Sequence, residues 1–469
     1  MLFTQHTFLF FFLVVFLVNL ITRRWTKLNH IFLILANFIF FAYWSIPDFI
    51  LMVSVVYLTY LMIRWMNSVK TISSQKTLLI LTVWLDLGAL ILFKYRGFLY
   101  ENFSYLPFMP AYPRPSFFNA ILPLGISFYT FQCLSYAIDV YQKKIKLTSL
   151  SHFVLYITFF PQIIAGPIVR GSQLIPQIDQ PSKNRPIQLE TGLYWFALGF
   201  FFKAVCADYI SDIIDPYWIS GQHEALSAFA HWIIAFLYSC QIFSDFGGYS
   251  FMAIGLGFLL GFQLPENFNA PYLAKSFGEF WKRWHITLSS FLKDYLYIGA
   301  LGGNRHGARR TIINIIIVML LGGLWHGPAW TFICWGGLHG LALIIERLVG
   351  LHDRRQWHHW LITLCWFFVV QAVILLTWVF FRAPSLSYAL SFVKCMFIFK
   401  PFENSLIPPD LMVGLIFTIP VLIHHIARLP QFNGTRLFNP LLKGSLAGFM
   451  FFIILIFMHR PQGFIYFTF

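Results

Sequence analysis

Charge is what this sequence has least of. Asp, Glu, Lys and Arg make up 11% of its 469 residues, less than half the roughly 25% of a soluble domain. A chain wetted on all sides is thereby excluded. The longest polar stretch, 263–310, lies between apolar runs, so no separate soluble domain is visible. Acids are scarcer still, 18 against 33 bases, for a net charge of +15. The bases gather in short loops between apolar runs, the pattern of loops facing anionic lipid. That excludes a nucleic-acid surface, and no nucleic-acid partner is expected.

Cysteine is sparse and scattered. Cys133, Cys206, Cys240, Cys334, Cys365 and Cys395 lie singly, mostly inside apolar runs, with no CxxC pair. They read as small buried hydrophobes rather than a disulfide or zinc framework, and no metal is expected. Familiar catalytic signatures are missing too: there is no GxSxG, HExxH or P-loop. "HHIARL" at 424–429 lacks the acid of a soluble HHxxxD acyltransferase. "GLGFLLG" at 255–261 is no dinucleotide fingerprint, and its Gly257 and Gly261 form a GxxxG helix-packing pair.

What is abundant is apolar and aromatic surface, 58% and 20% of residues. Apolar runs fall at 7–22, 30–46, 48–63, 77–94, 119–140, 151–168, 189–206, 226–243, 246–262, 311–325, 328–346, 361–381, 411–427 and 444–459. They predict an all-α, polytopic integral membrane protein, a multi-helix bundle of about 11–13 membrane segments. One domain is expected over 1–469, with N-terminal helices to 150, a core over 151–346 and C-terminal helices over 347–469. The first run is followed rather than preceded by bases, so it reads as a transmembrane helix and not a removable signal peptide.

Arg23, Arg24 and Lys27, then Arg64, Lys70 and Lys76, then Lys143, Lys144 and Lys146 place three loops in the cytoplasm, with the N-terminus outside. The polar stretch 263–310 joins them. Residues 208–225 hold four acids and no Lys or Arg, and fit the outer face. For the count to close, 151–168 must enter and leave on one side. "FFPQIIAGP", with Pro161, Gly166 and Pro167, allows such a re-entrant element over a wet cavity.

Within 263–310, "FWKRWHITLSSFLKDYLY" has helical period. Trp281, Trp284, Leu288, Phe291, Leu292 and Tyr295 share one arc, opposite Lys282, Arg283, Ser290, Lys293 and Asp294. A basic amphipathic helix lying in the interface plane is expected, with His285 facing inward among the tryptophans.

"GGLWHGPAW", residues 322–330, sets His326 between two apolar runs. The first arm, 311–325, rises only about 22 Å, against a hydrocarbon core of about 30 Å. The hairpin tip is therefore expected inside the bilayer. An ionisable group there suggests a functional site, although a neutral histidine packed between Trp325 and Trp330 is the alternative. "QIFSDFGGYS" predicts a break between two spans at Asp245, opened by Gly247 and Gly248. A carboxylate there should be paired or face water. His339, in "WGGLHGLAL", reads as packing.

Taken with "YITFFPQIIAGPIVR" (156–170), the stretch 243–298, "GLWHGPAWTFICWGGLHG" (323–340), "WVFFRA" (378–383) and the terminal "FIYFTF", the chain resembles membrane-bound O-acyltransferases. It is closest to their alginate O-acetylation branch and more distant from the teichoic-acid D-alanyl transfer proteins. The match runs in order from about residue 30 to the C-terminus. The resemblance implies a bundle around a central chamber, with His326 and His285 as catalytic histidines. Trp325, Asp245, Trp284 and Asn304 become the residues expected to contact substrate.

It further implies no bound cofactor, and a cytoplasmic acyl donor such as acetyl-CoA or another acyl thioester. The partners implied are membrane lipid and, outside, a polysaccharide acceptor or a periplasmic SGNH-type acetyltransferase. The location implied is a bacterial cytoplasmic (inner) membrane. "YIGALGGNR" (297–305) departs from the family's usual "YIPLGGNR", which bears on the donor. D-alanyl transfer is the alternative within the class. A transporter, for which broken helices and buried ionisable groups would also serve, is the alternative outside it.

Overall fold

A computed structural model describes residues 1–104, 123–163, 165–219, 222–351, 360–398, 407–429, 440–457 and 463–464. The described residues form helices and turns with no strand. Backbone groups in lipid must bond within their own segment, and helices do so. Among the described residues, eight helices are long and apolar enough to cross a membrane, and three shorter apolar ones accompany them. Several helices, long and short, begin on a side-chain cap where the polar loops end. Ser45 accepts from the Asp48 N–H, Ser149 from His152, Ser276 from Glu279 and Ser385 from Tyr388.

Contacts group the chain into two compact units, 1–196 with 252–265, and 197–251 with 266–469. Two of the boundaries, 196/197 and 251/252, fall inside helices, and the third, 265/266, falls in a loop. Hydropathy registers where a span ends; it does not register which spans touch.

In the first unit the segment 151–168 is broken as expected. Leu150–Thr158 is nine residues long, about 13 Å, and is followed by the four-residue turn Phe160–Ile163. The break exposes the Phe160 N–H, which donates to Asn37 Oδ1 at 3.0 Å, while Asn37 Nδ2 donates to Thr158 Oγ1 at 3.3 Å. One buried amide thus satisfies an interrupted backbone. A second polar knot ties the helix ends: Arg185 donates to Asn29 Oδ1 at 2.6 Å, and Asn29 Nδ2 donates to Asn19 Oδ1 at 2.8 Å.

The second unit corrects three expectations. There is no break at Asp245, because Ala228–Leu260 is one helix of 33 residues. A π-helical turn, Phe202–Ala207, brings Lys203 to 2.7 Å from both Asp208 and Asp245. A carboxylate paired inside the protein has no need of an opened backbone to reach water. Gly248 serves close approach instead: a Cβ there would lie 2.7 Å from the Gly199 carbonyl oxygen.

The expected amphipathic helix is the second correction. It is split into Phe277–Arg283, Ile286–Phe291 and a π-helical stretch Leu292–Ala300. The third concerns the hairpin. Its first arm runs from Gly307 to His326, because the polar Ala308–Arg310 turn extends the helix beyond the apolar run. Its 20 residues rise about 30 Å, enough to cross. A short arm is therefore not what places His326.

Candidate active site

His326 is the last residue of its helix. Gly327 follows in extended conformation and the chain re-enters helix at Trp330–Leu348. The two arms close tightly because they meet through glycine. A Cβ on Gly323 would lie 2.2 Å from the Phe332 carbonyl oxygen, and one on Gly336 2.2 Å from that of Met319. Gly322, next along, points elsewhere. It lines a cavity of about 200 Å³ whose walls include Leu288, Leu292, Met319, Trp335 and His326. The lining is almost wholly apolar, and His326 is its titratable imidazole; Lys293 and Tyr297 also line it.

The imidazole is held by aromatic edges. The Trp335 ring centre lies 5.0 Å from that of His326, and Phe381 of "WVFFRA" lies at 5.3 Å. His285 stands on the other side at 6.4 Å. The two sequence-predicted histidines are therefore brought together, with Trp325 between, 5.0 Å from His326 and 5.8 Å from His285.

His285 is fully buried and sits at the break between the two short helices, with φ 42° and ψ 54°. A left-handed conformation in a non-glycine residue costs about 1–3 kcal/mol and persists only where surroundings enforce it. Here Asn267 enforces it. Its carbonyl oxygen takes the Ile286 N–H at 2.9 Å. Its Oδ1 accepts from Thr287 Oγ1 at 2.8 Å and from the Thr287 N–H at 3.3 Å. A backbone N–H can only donate, so that side-chain atom is an oxygen.

His285 Nδ1, 3.1 Å from the same oxygen, must then carry the ring proton. Nε2 keeps the lone pair and has no hydrogen-bond partner among the described residues. Burial pushes the His285 pKa down to about 3, so the ring is neutral at physiological pH.

The other predicted residues scatter. Trp284 is buried behind His285, against Phe268 at 4.9 Å, Phe280 at 5.8 Å and Trp378 at 4.8 Å. It packs the floor of the site and does not line the cavity. Asp245 faces Lys203; its neighbour Phe246 is the one that reaches His285, edge-on at 4.7 Å. Asn304 lies in the loop before Gly307, at the opposite end of that helix from His326, and accepts from the Tyr297 hydroxyl. His339 bonds Thr377 at 3.0 Å and stacks on Phe280, a packed position. Of the terminal "FIYFTF", Phe464 packs on Tyr249 at 4.7 Å; 465–469 lie outside the described residues.

The sequence pattern of the membrane-bound O-acyltransferase (MBOAT) family matches residues 36–381. The chain belongs to this family. Among its relatives, the probable alginate O-acetylase AlgI of Pseudomonas aeruginosa is 36% identical over 432 residues, covering 88% of this chain and 78% of that protein. A peptidoglycan O-acetyltransferase of Helicobacter pylori is 37% identical over 433 residues, 84% and 80% of the two chains. A teichoic acid D-alanyltransferase of Streptococcus thermophilus is 30% identical over 236 residues, 48% and 56% of the two.

This multi-pass O-acyltransferase thus carries His326 on the wall of an apolar cavity, with the His285 ring centre 6.4 Å from its own. Sequence reading missed Asn267. Its neighbours in "LPENFNAPY" are polar and proline-rich, which reads as a loop. Nothing local signals that the loop folds back onto His285. Phe381 and Trp335 could be found only as parts of family motifs.

Proposed function

We propose that this MBOAT chain moves an acyl group, acetyl in the first instance, from a cytoplasmic acyl thioester such as acetyl-CoA to a cell-envelope or exported polysaccharide. It does so from a bacterial cytoplasmic membrane, either directly or through a periplasmic SGNH-type acetyltransferase. The observation that carries this is His326 in the wall of an apolar cavity with His285 at 6.4 Å. Lys293 and Tyr297 line the same cavity, and Tyr297 bonds Asn304 in the basic loop. An acyl thioester with an extended arm suits such a cavity, its polar end toward the bases.

In the transfer, His326 accepts the proton of an acceptor hydroxyl as that oxygen attacks the thioester carbonyl carbon. The C–O bond forms, the C–S bond breaks, and the protonated imidazole returns its proton to the leaving thiolate. His285 holds one side of the site in place. The named substrates of the relatives, alginate and peptidoglycan among them, support a glycan acceptor. The D-alanyl relative matches about half of the chain, and this supports acetyl over D-alanyl.

The test is transfer of labelled acetyl from acetyl-CoA in membranes, normalised to folded protein. His326→Gln keeps hydrogen bonding but cannot relay the proton, and transfer should fall by at least about 10²-fold. Near-wild-type transfer by His326→Gln would overturn the mechanism. Transfer from a D-alanyl carrier thioester but not from acetyl-CoA would overturn the donor.

A further inference from the structure

Away from the histidine pair, the second unit gathers another cluster. His223, His231 and Cys395 each offer a ligand atom, and these atoms all lie within 4.8 Å of one another. They come from three segments: the 3-10 turn Gln222–Ala225, the N-terminal part of the Ala228–Leu260 helix, and the end of the Leu386–Phe397 helix. On the last helix, Tyr388, Phe392 and Cys395 are spaced four and three apart and share one face. The rings of that face hold both imidazoles. Tyr388 lies 4.6 Å from His223, and Phe392 lies 5.3 Å from His223 and 4.8 Å from His231.

The proton positions suit ligation. His231 Nδ1 is 2.7 Å from the Ser227 carbonyl oxygen, which can only accept, so Nδ1 bears the proton and Nε2 the lone pair. A ring N–H given to a backbone carbonyl is how metal-binding histidines are commonly oriented. His223 is 2% exposed, and its Nδ1 is buried with no hydrogen-bond partner among the described residues. Burying a ring nitrogen unsatisfied is costly, and a cation would satisfy it. Cys395 remains partly exposed, which leaves a route in.

We propose that His223, His231 and Cys395 form a thiophilic metal site, with Zn²⁺ as its ion, clamping three segments on the face that carries the acidic 208–225 stretch. Two imidazoles and a thiol are borderline-to-soft donors that suit Zn²⁺, or Cu⁺, over Mg²⁺ or Ca²⁺. Side-chain rotation within the cluster brings the ligands to tetrahedral spacing, with water as the fourth. Binding releases the thiol proton to solvent, since the thiolate is the ligand.

The test uses the full chain, purified without chelator, equilibrated with Zn²⁺ and freed of loose metal. One equivalent per chain is expected by elemental analysis, lost in Cys395→Ser and in His223→Ala. Cys395→Ser changes a single atom of a partly exposed residue and should fold, so loss of metal is readable apart from loss of fold. Co²⁺ loading should give the thiolate charge-transfer band in wild type and not in Cys395→Ser. Chelator should lower the thermal midpoint of wild type but not of the variant. Preferential capture of Cu⁺, still dependent on Cys395, would support the site and reassign its ion. No tight metal in wild type, or equal metal in Cys395→Ser, would overturn it.

Discussion

Asn267 grips His285: its side-chain oxygen lies 3.1 Å from the imidazole Nδ1 and also takes the backbone N–H and the hydroxyl of Thr287. One amide thereby sets both the ring's tautomer and a left-handed backbone turn. The lone pair of His285 is left on Nε2, on a ring whose centre is 6.4 Å from that of His326.

Asn267→Ala should therefore lower transfer at equal folded protein by about 10²-fold, the cost of a misplaced group near the chemistry. Asn267→Asp keeps the acceptor and should restore part of that loss. It should also move the pH profile upward, because a carboxylate raises the pKa of the ring it faces. A purely structural role would show equal damage in both variants and no shift of profile. Steady-state transfer as a function of pH separates the two.

His285 also makes stability depend on pH. Its pKa falls from 6.5 to about 3 through burial, so between those values the unfolded chain binds a proton that the folded chain refuses. Stability should then decline as pH drops below 6.5, at up to about 1.4 kcal/mol per pH unit, and level off near 3. Thermal midpoints across that window, compared with His285→Asn, isolate the contribution. The variant should show a shallower decline.

Lys203 holds two carboxylates at 2.7 Å each, Asp208 and Asp245. Lys203→Met should destabilise by about 3–5 kcal/mol, as expected when one partner of a buried pair is removed. Asp245→Asn leaves the Lys203–Asp208 contact and should cost less. If Asp245 serves packing alone, transfer per folded molecule will be unchanged in Asp245→Asn. A drop in transfer at full stability would put Asp245 in contact with substrate. Unfolding in detergent, alongside the acetyl assay, reads both.

The hairpin that carries His326 depends on one close contact. Gly323→Ala places a methyl group 2.2 Å from the Phe332 carbonyl oxygen, where only backbone can yield. A loss of about 1–3 kcal/mol or more is expected, with reduced transfer as His326 shifts. Gly337→Ala, on the partner helix, meets only the flexible Leu320 side chain at 3.4 Å and should be near neutral. Paired thermal unfolding curves check the contrast.

The sequence alone determined the class of molecule and its family. Hydropathy is a local, additive property, so scarce charge and repeated apolar runs suffice to specify a helical membrane protein. Pro161, Gly166 and Pro167 were enough to mark the interrupted segment, since they act on their own backbone. His326 was legible from its setting between glycines and tryptophans. What tertiary structure decided is everything that joins distant segments. The unbroken helix through Asp245 depends on Lys203, which a π-helical turn delivers. The split at His285 depends on Asn267 folding back onto it, and that turn has no periodicity to detect. The grouping of His223 and His231 with Cys395 is likewise invisible in spacing. Such contacts form when side chains from separate helices meet, and their energies compensate local costs that a reading of neighbours alone counts as breaks.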